Sequence, residues 1–135
     1  MRTLDMQFIR YLNLFEKITG VRTKTCFPYN NMIIFGVPPA LVSKAIGQNG
    51  GNIKRMSELI GRKIKVISFP CNNIYEFVCK IVDPLRFKSL EMNEKEVIIN
   101  AGRQSKAALI GRNKARLEEL NNIIKEYCGR EVRII

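Results

Sequence analysis

The sequence predicts an α+β fold built from two consecutive copies of one unit. Each copy is ordered helix-strand-strand-helix-helix-strand, with its helices packed on one face of a three-stranded sheet. Helical and strand-like hydrophobic periodicity succeed one another in this order twice along the 135 residues. In both copies a glycine-containing loop joins two helices, at Gly47 and, 64 residues later, at Gly111. Such agreement is typical of duplication, so we expect one domain at residues 1–70 and a second at residues 71–135.

The first copy is predicted from apolar spacing and from the residues that interrupt it. A helix with apolar positions three and four apart ends at Gly20, a typical C-cap residue. Tyr29-Asn30-Asn31 forms a turn between two strands, because asparagine tolerates positive φ. Pro38-Pro39 opens a short helix, since proline fits the first helical turn. The predicted elements are a helix with Phe8, Tyr11, Leu12, Phe15 and Ile18 on one face, strands at 22–28 and 32–37, helices at 40–46 and 51–60, and a strand at 63–69.

The second copy repeats this order. Asn93-Glu94-Lys95 supplies the turn between its strands, residues 111–114 separate its two later helices, and Gly129 ends the longer one. Gly61 and Gly129 are 68 residues apart rather than 64, which gives the second copy one extra helical turn. The predicted elements are helices at 74–82, 104–110 and 115–127 and strands at 87–92, 96–100 and 131–135.

The charge balance indicates a polyanionic partner. The chain has 23 Lys and Arg against 12 Asp and Glu, a formal net charge of +11. Most of the excess lies in residues 1–70, which carry 11 basic and 3 acidic side chains, against 12 and 9 in residues 71–135. A field of this sign steers a protein toward phosphate backbones, although it also suits an acidic membrane or an acidic protein. Among these partners we expect nucleic acid.

The composition is typical of a folded, soluble, monomeric protein of the cytoplasm. No apolar run reaches the length of a membrane span, and residues 1–5 lead into the first amphipathic helix without a signal-peptide stretch. The chain has no histidine, and its cysteines lack zinc-site spacing, so we expect no metal or cofactor. Small buried thiols are the expectation for the four cysteines, with a Cys26–Cys71 disulfide left open.

Gly47-Gln48-Asn49-Gly50 has a spacing with a specific physical use. Glycines let a backbone lie directly against a sugar-phosphate chain, and free N–H groups at the start of the next helix face the phosphates. The alternative is a tight helix-helix turn with a C-cap glycine. Residues 44–65 carry a single acid, Glu58, where surface helices usually mix signs, and this favours phosphate. The basic residues of this stretch are Lys44, Lys54, Arg55, Arg62, Lys63 and Lys65.

The segment Ala45-Ile46-Gly47-Gln48-Asn49-Gly50-Gly51-Asn52-Ile53-Lys54-Arg55 resembles the signature of a KH domain. The loop of that module clamps four backbone nucleotides. Because the helix comes first in each copy, the arrangement resembles the prokaryotic, type II KH domain. Two such domains in tandem, beginning with Leu14-Phe15-Glu16-Lys17-Ile18-Thr19-Gly20-Val21, resemble the archaeal NusA-like transcription factors.

This resemblance implies a single-stranded RNA-binding protein that modulates transcription elongation, termination or antitermination, with RNA polymerase as a further partner. Ile46, Ile53 and Val66 would wall an aliphatic groove for bases, with core packing as the alternative for Ile53. The RNA-binding residues implied in the first copy are Lys44, Ile46, Gly47, Gln48, Asn49, Gly50, Gly51, Lys54 and Arg55.

The second loop, Gly111-Arg112-Asn113-Lys114, departs from the family pattern, because lysine stands where the second glycine belongs. Side-chain contacts to phosphate could replace backbone contacts there. The alternative is that this copy mainly supports the first. The implied secondary RNA-binding residues are Arg103, Lys106, Gly111, Arg112, Asn113, Lys114 and Arg116.

The sequence contains no catalytic constellation, so we expect no enzyme activity. It lacks histidine, a Gly-x-x-x-x-Gly-Lys-Ser/Thr phosphate loop and a Gly-x-Ser-x-Gly elbow. Glu91, Glu94 and Glu96 surround a turn and are interpreted as solvated charges rather than a metal-dependent nuclease site. Two other classes stay open: a KH-type rRNA-binding or ribosome-assembly factor, and a protein-interaction scaffold that has lost RNA binding.

Overall fold

The computed structural model describes residues 6–135, so the expectation for residues 1–5 lies outside it. The described chain divides into two compact units, residues 6–72 and Asn73–Ile135. Each has helices and one three-stranded sheet, and the predicted α+β class is therefore confirmed. Over the described range, no helix is both long and apolar enough to cross a membrane.

The first unit has a mixed sheet with its second strand in the centre. β2 (Met32–Val37) is antiparallel to β1 (Thr25–Tyr29) and parallel to β3 (Lys63–Ser68). Parallel neighbours need a crossover connection, and here it consists of two helices separated by the glycine loop. The elements are α1 (Met6–Thr19), β1 (Thr25–Tyr29), β2 (Met32–Val37), α2 (Val42–Ile46), α3 (Gly51–Ile60) and β3 (Lys63–Ser68), with 3-10 turns at Pro39–Leu41 and Gln48–Gly50.

Alternation along the strands brings the core of the first unit to one face of its sheet. Ile33 and Phe35 of β2 and Ile64 of β3 belong to the same buried cluster. Phe15 of α1 stacks on Phe35, with ring centroids 4.3 Å apart and ring planes 13° from parallel. Side chains from α1, α2 and α3 all pack against this cluster, so the crossover helices and their loop are held on the same face.

The second unit repeats the order and the pairing. β5 is central, antiparallel to β4 and parallel to β6. Leu109 and Leu120 of its crossover helices are fully buried, and Phe77 meets Tyr127 edge to face with centroids 6.0 Å apart. The elements are α4 (Ile74–Val82), β4 (Ser89–Met92), β5 (Glu96–Asn100), α5 (Arg103–Ile110), α6 (Ala115–Cys128) and β6 (Glu131–Ile134), with a 3-10 turn at Arg112–Lys114.

Some element boundaries differ from those predicted. β1 begins at Thr25 rather than residue 22, because Thr23 Oγ1 donates to Gly36 O and accepts from Thr25 N–H at 3.1 Å. Such side-chain turns compete with the strand ladder. β4 begins at residue 89 rather than 87, and Phe87 lies before the strand with its ring against Tyr75. Residues 40–46 form a 3-10 turn and a short α-helix rather than one helix.

The cysteines form neither a disulfide nor a metal site. All four are free thiols, so the Cys26–Cys71 bond left open by the sequence is not formed. The expectation of buried thiols is confirmed for Cys26 and is wrong for the other three, which are half-buried. Within residues 6–135 no group of three or more Cys, Asp and Glu side chains is arranged to hold a metal ion.

Candidate nucleic-acid interface

The first loop is a well-defined turn between α2 and α3. Gly47 has φ 80° and ψ 170°, Asn49 has φ 55°, and Gly50 has φ 69°, so three of its four residues have positive φ. Gly47 N–H donates to Ser43 O at 3.0 Å, and Gly50 N–H donates to Gly47 O at 3.2 Å. Asparagine is one of the few residues besides glycine that tolerates this conformation. The residue types of the loop therefore match its backbone.

The glycines of the loop and of the start of α3 differ in the space around them. A Cβ at Gly47 would lie 2.8 Å from Asn52 Cγ, so packing within the loop excludes a side chain there. A Cβ at Gly50 or at Gly51 would meet nothing within 4 Å. Gly51 also has ordinary helical angles, φ −59° and ψ −41°, which any residue adopts. Neither packing nor conformation explains why residue 51 is a glycine. A nucleic-acid strand lying against the loop would need the space that a side chain would fill.

The polar side chains of this surface face solvent. Gln48 and Asn49 at the tip of the loop are exposed, as are Lys54 and Arg55 on α3. Within residues 6–135 none of the four has a side-chain hydrogen bond or an ion pair. Two cationic and two amide side chains are thus available to a ligand beside the open backbone.

The start of α3 lacks the negative charge that the N-terminus of a helix favours. The positive end of the helix dipole favours anions, yet the first turn contains no acid and includes the cation Lys54. No side chain caps this end of the helix. A bound phosphate would supply the missing negative charge, so the local field complements a phosphate backbone.

The amides at the helix start are only partly free, which refines the sequence-based expectation. Gly50 N–H and Gly51 N–H are used in turns within the loop, donating to Gly47 O and Gln48 O. The donors that remain at this end of α3 are the N–H groups of Asn52 and Ile53, further into the first turn.

The other residues named from the sequence differ in their exposure and in what they contact. Lys44 is exposed, but its side chain lies over Gly20, where a Cβ would be 3.7 Å from Lys44 Nζ. A cation is favourable at that point because α1 ends there. Ile53 and Val66 pack against the buried cluster while staying half-exposed, and Ile46 is also half-buried. These three side chains can contribute to the core and to an apolar wall at once.

The second loop has the same backbone conformation despite its lysine. Gly111 has φ 76° and ψ 172°, Asn113 has φ 56°, and Lys114 has φ 62° and ψ 21°. Gly111 N–H donates to Ala107 O at 2.9 Å, and Lys114 N–H donates to Gly111 O at 3.2 Å. Lys114 therefore adopts the left-handed conformation of Gly50, which costs a non-glycine residue about 1–2 kcal/mol. The fold of the loop does not depend on a second glycine.

A side-chain bridge that sequence reasoning missed supports both loops. Asn52 Nδ2 donates to Lys44 O at 3.2 Å across the first loop. At the equivalent positions, 64 residues later, Arg116 Nη1 donates to Ala108 O at 2.8 Å. Asn52 and Arg116 are chemically unlike and share only a side-chain N–H that can reach the carbonyl. The sequence therefore does not predict the bridge. Arg116, named as a phosphate contact, is thus also a support of the loop.

The two interfaces differ most in charge. Glu118 and Glu119 occupy the places that Lys54 and Arg55 hold in the first copy. Arg112, Asn113 and Lys114 are exposed at the second loop, while Arg103 and Lys106 are exposed on α5. Because α5 rises about 1.5 Å per residue, Arg103 lies roughly 10 Å along the helix from the loop. The secondary residues therefore form two groups, with the loop group flanked by acids.

Comparison with known proteins extends over both units. No protein-family model matches the chain. Proteins of Methanococcus vannielii and Methanocaldococcus jannaschii, each named "Probable transcription termination protein NusA", are 24% and 26% identical over 130 and 128 residues. The matches cover 93% and 92% of this chain and 75% and 69% of those proteins. The crystal structure of APE1850 has a TM-score of 0.73 and 26% sequence identity, covering 98% of this chain and 100% of its own. These likenesses, at low identity but over most of the chain, support a relation to the archaeal NusA-like proteins.

Proposed function

We propose that this protein binds single-stranded RNA through two tandem type II KH domains, residues 1–70 and 71–135, with the first loop as the main contact. The observation that carries the proposal is the open backbone at Gly50 and Gly51 beside the unpaired cations Lys54 and Arg55. A phosphate chain can approach such a backbone closely and meets positive charge when it does. The KH assignment is supported by the element order of both units and by the position of each loop between its two crossover helices.

The proposed biological role is the modulation of transcription elongation, termination or antitermination in the cytoplasm, with RNA polymerase as a further partner. It is supported by the names of the two archaeal relatives, which match nearly the whole chain. This role needs no catalytic group or cofactor. RNA incubated with the protein and Mg²⁺ should stay intact, and divalent-dependent cleavage would contradict a purely binding function.

The test of RNA binding replaces the two exposed loop residues by acids. Gln48→Asp with Asn49→Asp places two carboxylates where phosphates are proposed to lie, and the backbone that carries them is unchanged. We expect loss of binding to short single-stranded RNA in a fluorescence anisotropy titration. Circular dichroism and thermal unfolding should match the parent protein, because neither side chain has a partner within residues 6–135.

The matched control is Arg112→Asp with Asn113→Asp in the second loop. This pair changes the net charge by −3 rather than −2, so a general charge effect would make it the more damaging variant. We expect the smaller loss of affinity, because Glu118 and Glu119 already disfavour phosphate beside that loop. Undiminished binding by the first variant would refute the proposal, and a larger loss from the second would reverse the ranking of the loops.

Co-purification from cells distinguishes the proposed biological role from the two alternative functions. Co-purification with RNA polymerase, abolished by the Gln48→Asp and Asn49→Asp changes, is the expected result. Co-purification with ribosomal particles would favour a ribosome-assembly factor. Failure of the parent protein to bind any single strand would favour a protein-interaction scaffold.

A further inference from the structure

The second unit contains a cleft of about 450 Å³ that is separate from its loop. One wall comes from Arg86, Phe87 and Lys88, which precede β4. The other wall comes from residues 101–105, where β5 passes into α5. The loop at residues 111–114 follows the opposite end of α5, so the cleft and the loop are distinct surfaces of one unit.

One backbone hydrogen bond and one side-chain contact hold the walls of the cleft together. Lys88 N–H donates to Asn100 O at 2.7 Å, which ties the segment before β4 to the end of β5. A Cβ at Gly102 would lie 3.0 Å from Lys88 Cε, so the lysine side chain lies directly across the glycine backbone. Gly102 also has φ 77°, a conformation that favours glycine. The hydrogen bond and the conformation of Gly102 therefore fix the backbone on the two sides of the cleft, and the Lys88 side chain forms part of its surface.

Three cations border the cleft without neutralising partners. Arg86, Lys88 and Arg103 are all exposed. Among the described residues none of them forms an ion pair or a side-chain hydrogen bond. Cations around one cleft that form no ion pair favour an anionic group, and guanidinium groups match the geometry of phosphate.

One member of an aromatic pair, Phe87, lines the cleft, and the other, Tyr75, packs against it from outside the lining. Phe87 lines the cleft half-buried, and its ring contacts that of Tyr75 on α4, with centroids 5.4 Å apart and planes at 71°. Tyr75 is 50% exposed. Aromatic faces next to cations are the combination by which proteins hold single-stranded nucleic acid, because bases stack while phosphates pair with the charges.

We propose that this cleft binds one nucleotide of a single-stranded RNA, its phosphate held by Arg86, Lys88 and Arg103 and its base by the Tyr75–Phe87 pair. This inference rests on the proposed function, since it takes the same RNA as its ligand, and it adds a binding site that the loops do not provide. An RNA long enough to reach beyond the four nucleotides of a KH loop is needed to occupy it.

The test measures affinity for single-stranded RNA of about four and about twelve nucleotides, since a KH loop clamps four. Arg86→Ala with Lys88→Ala should weaken binding of the longer RNA by about tenfold and make the log-log salt slope shallower by about 0.7 for each phosphate that is no longer neutralised. Tyr75→Leu should weaken it by about fivefold with the slope unchanged, because this variant removes stacking and leaves the charge in place. Lys95→Ala with Lys125→Ala removes the same charge from exposed sites outside the cleft and should leave affinity nearly unchanged.

The outcomes separate this inference from the proposed function. If the parent protein binds the longer RNA and both cleft variants bind it equally well, the cleft proposal is overturned and the loop function stands. If the parent protein binds no single strand, both fail together. A ribonucleoside 5′-monophosphate should compete only weakly for the cleft. Binding of that mononucleotide as tightly as the RNA would make the cleft a free-nucleotide site and overturn the proposed binding of a strand.

Discussion

At the scale of single residues, Gly47 in the first loop and Gly51 at the start of α3 differ in how far the fold requires glycine. Gly47 has positive φ and no room for a Cβ, so its requirement is internal. Gly51 has ordinary helical angles and open space, so nothing within the described residues requires glycine there. A pair of alanine substitutions tests this difference.

Gly51→Ala should stabilise the protein by about 0.4–1 kcal/mol, because alanine restricts the unfolded chain and fits the helical conformation. Its affinity for single-stranded RNA should fall, because the methyl group occupies the space of the bound strand. Chemical denaturation and anisotropy titration measure the two effects. Gly47→Ala is the control and should destabilise the protein by about 1–3 kcal/mol through strain and contact with Asn52. Unaltered RNA affinity in Gly51→Ala would show that no strand approaches this backbone.

Lys114 carries a conformational cost that Gly50 avoids. Lys114→Gly should therefore raise the free energy of unfolding by about 1 kcal/mol, since the left-handed conformation is relieved. The reciprocal change Gly50→Lys should lower it by a similar amount, because lysine would take the left-handed conformation there. No clash should add to this cost, since a Cβ at Gly50 meets no atom within 4 Å. Denaturant unfolding measures both variants. A stability change of the same sign in the two would contradict the assigned strain.

At the scale of elements, the charge at the start of α3 and α6 distinguishes two otherwise equivalent helices. α3 has no acid in its first turn, whereas α6 has Glu118, which satisfies the dipole of its own helix. The backbone of the two loops is the same, so the difference in RNA binding should follow the side chains.

Glu118→Lys should accordingly raise RNA affinity and steepen the log-log salt slope by about 0.7, the value for one additional phosphate neutralised on a single strand. Glu94→Lys makes the same charge change in the turn between β4 and β5 and should have little effect on the slope. Salt-dependent anisotropy titration compares the two variants. Equal slopes would show that the second loop takes no part in binding even when its charge is restored.

Much at the element scale could be predicted from the sequence, because local signals are strong there. Turn asparagines, C-cap glycines and apolar periodicity locate β2, α3, α4 and β5 to the residue. Boundaries shift where a side chain competes with the backbone, as Thr23 does before β1. The loop residues follow from the family resemblance, but the Asn52 and Arg116 bridges and the cleft before β4 do not. These features depend on residues that are distant in the sequence and chemically unlike. Their placement therefore produces no recognisable sequence pattern.

At the scale of the whole molecule, the net charge of +11 favours a polyanionic partner, and the number of phosphates neutralised sets how binding responds to salt. Binding to single-stranded RNA should weaken as salt rises, with a log-log slope of about −0.7 for each phosphate neutralised. Affinity measured from about 50 to 200 mM salt gives the number of phosphates directly. Salt-independent association would instead indicate a partner held by apolar contacts, as expected of a protein.

The most direct test of the central claim is a titration of the ¹⁵N-labelled protein with short single-stranded RNA, followed by amide chemical shifts. The amides of residues 47–53 should shift first and furthest, because the strand is proposed to lie against that backbone. Shifts confined to other residues, with those amides unmoved, would contradict the account.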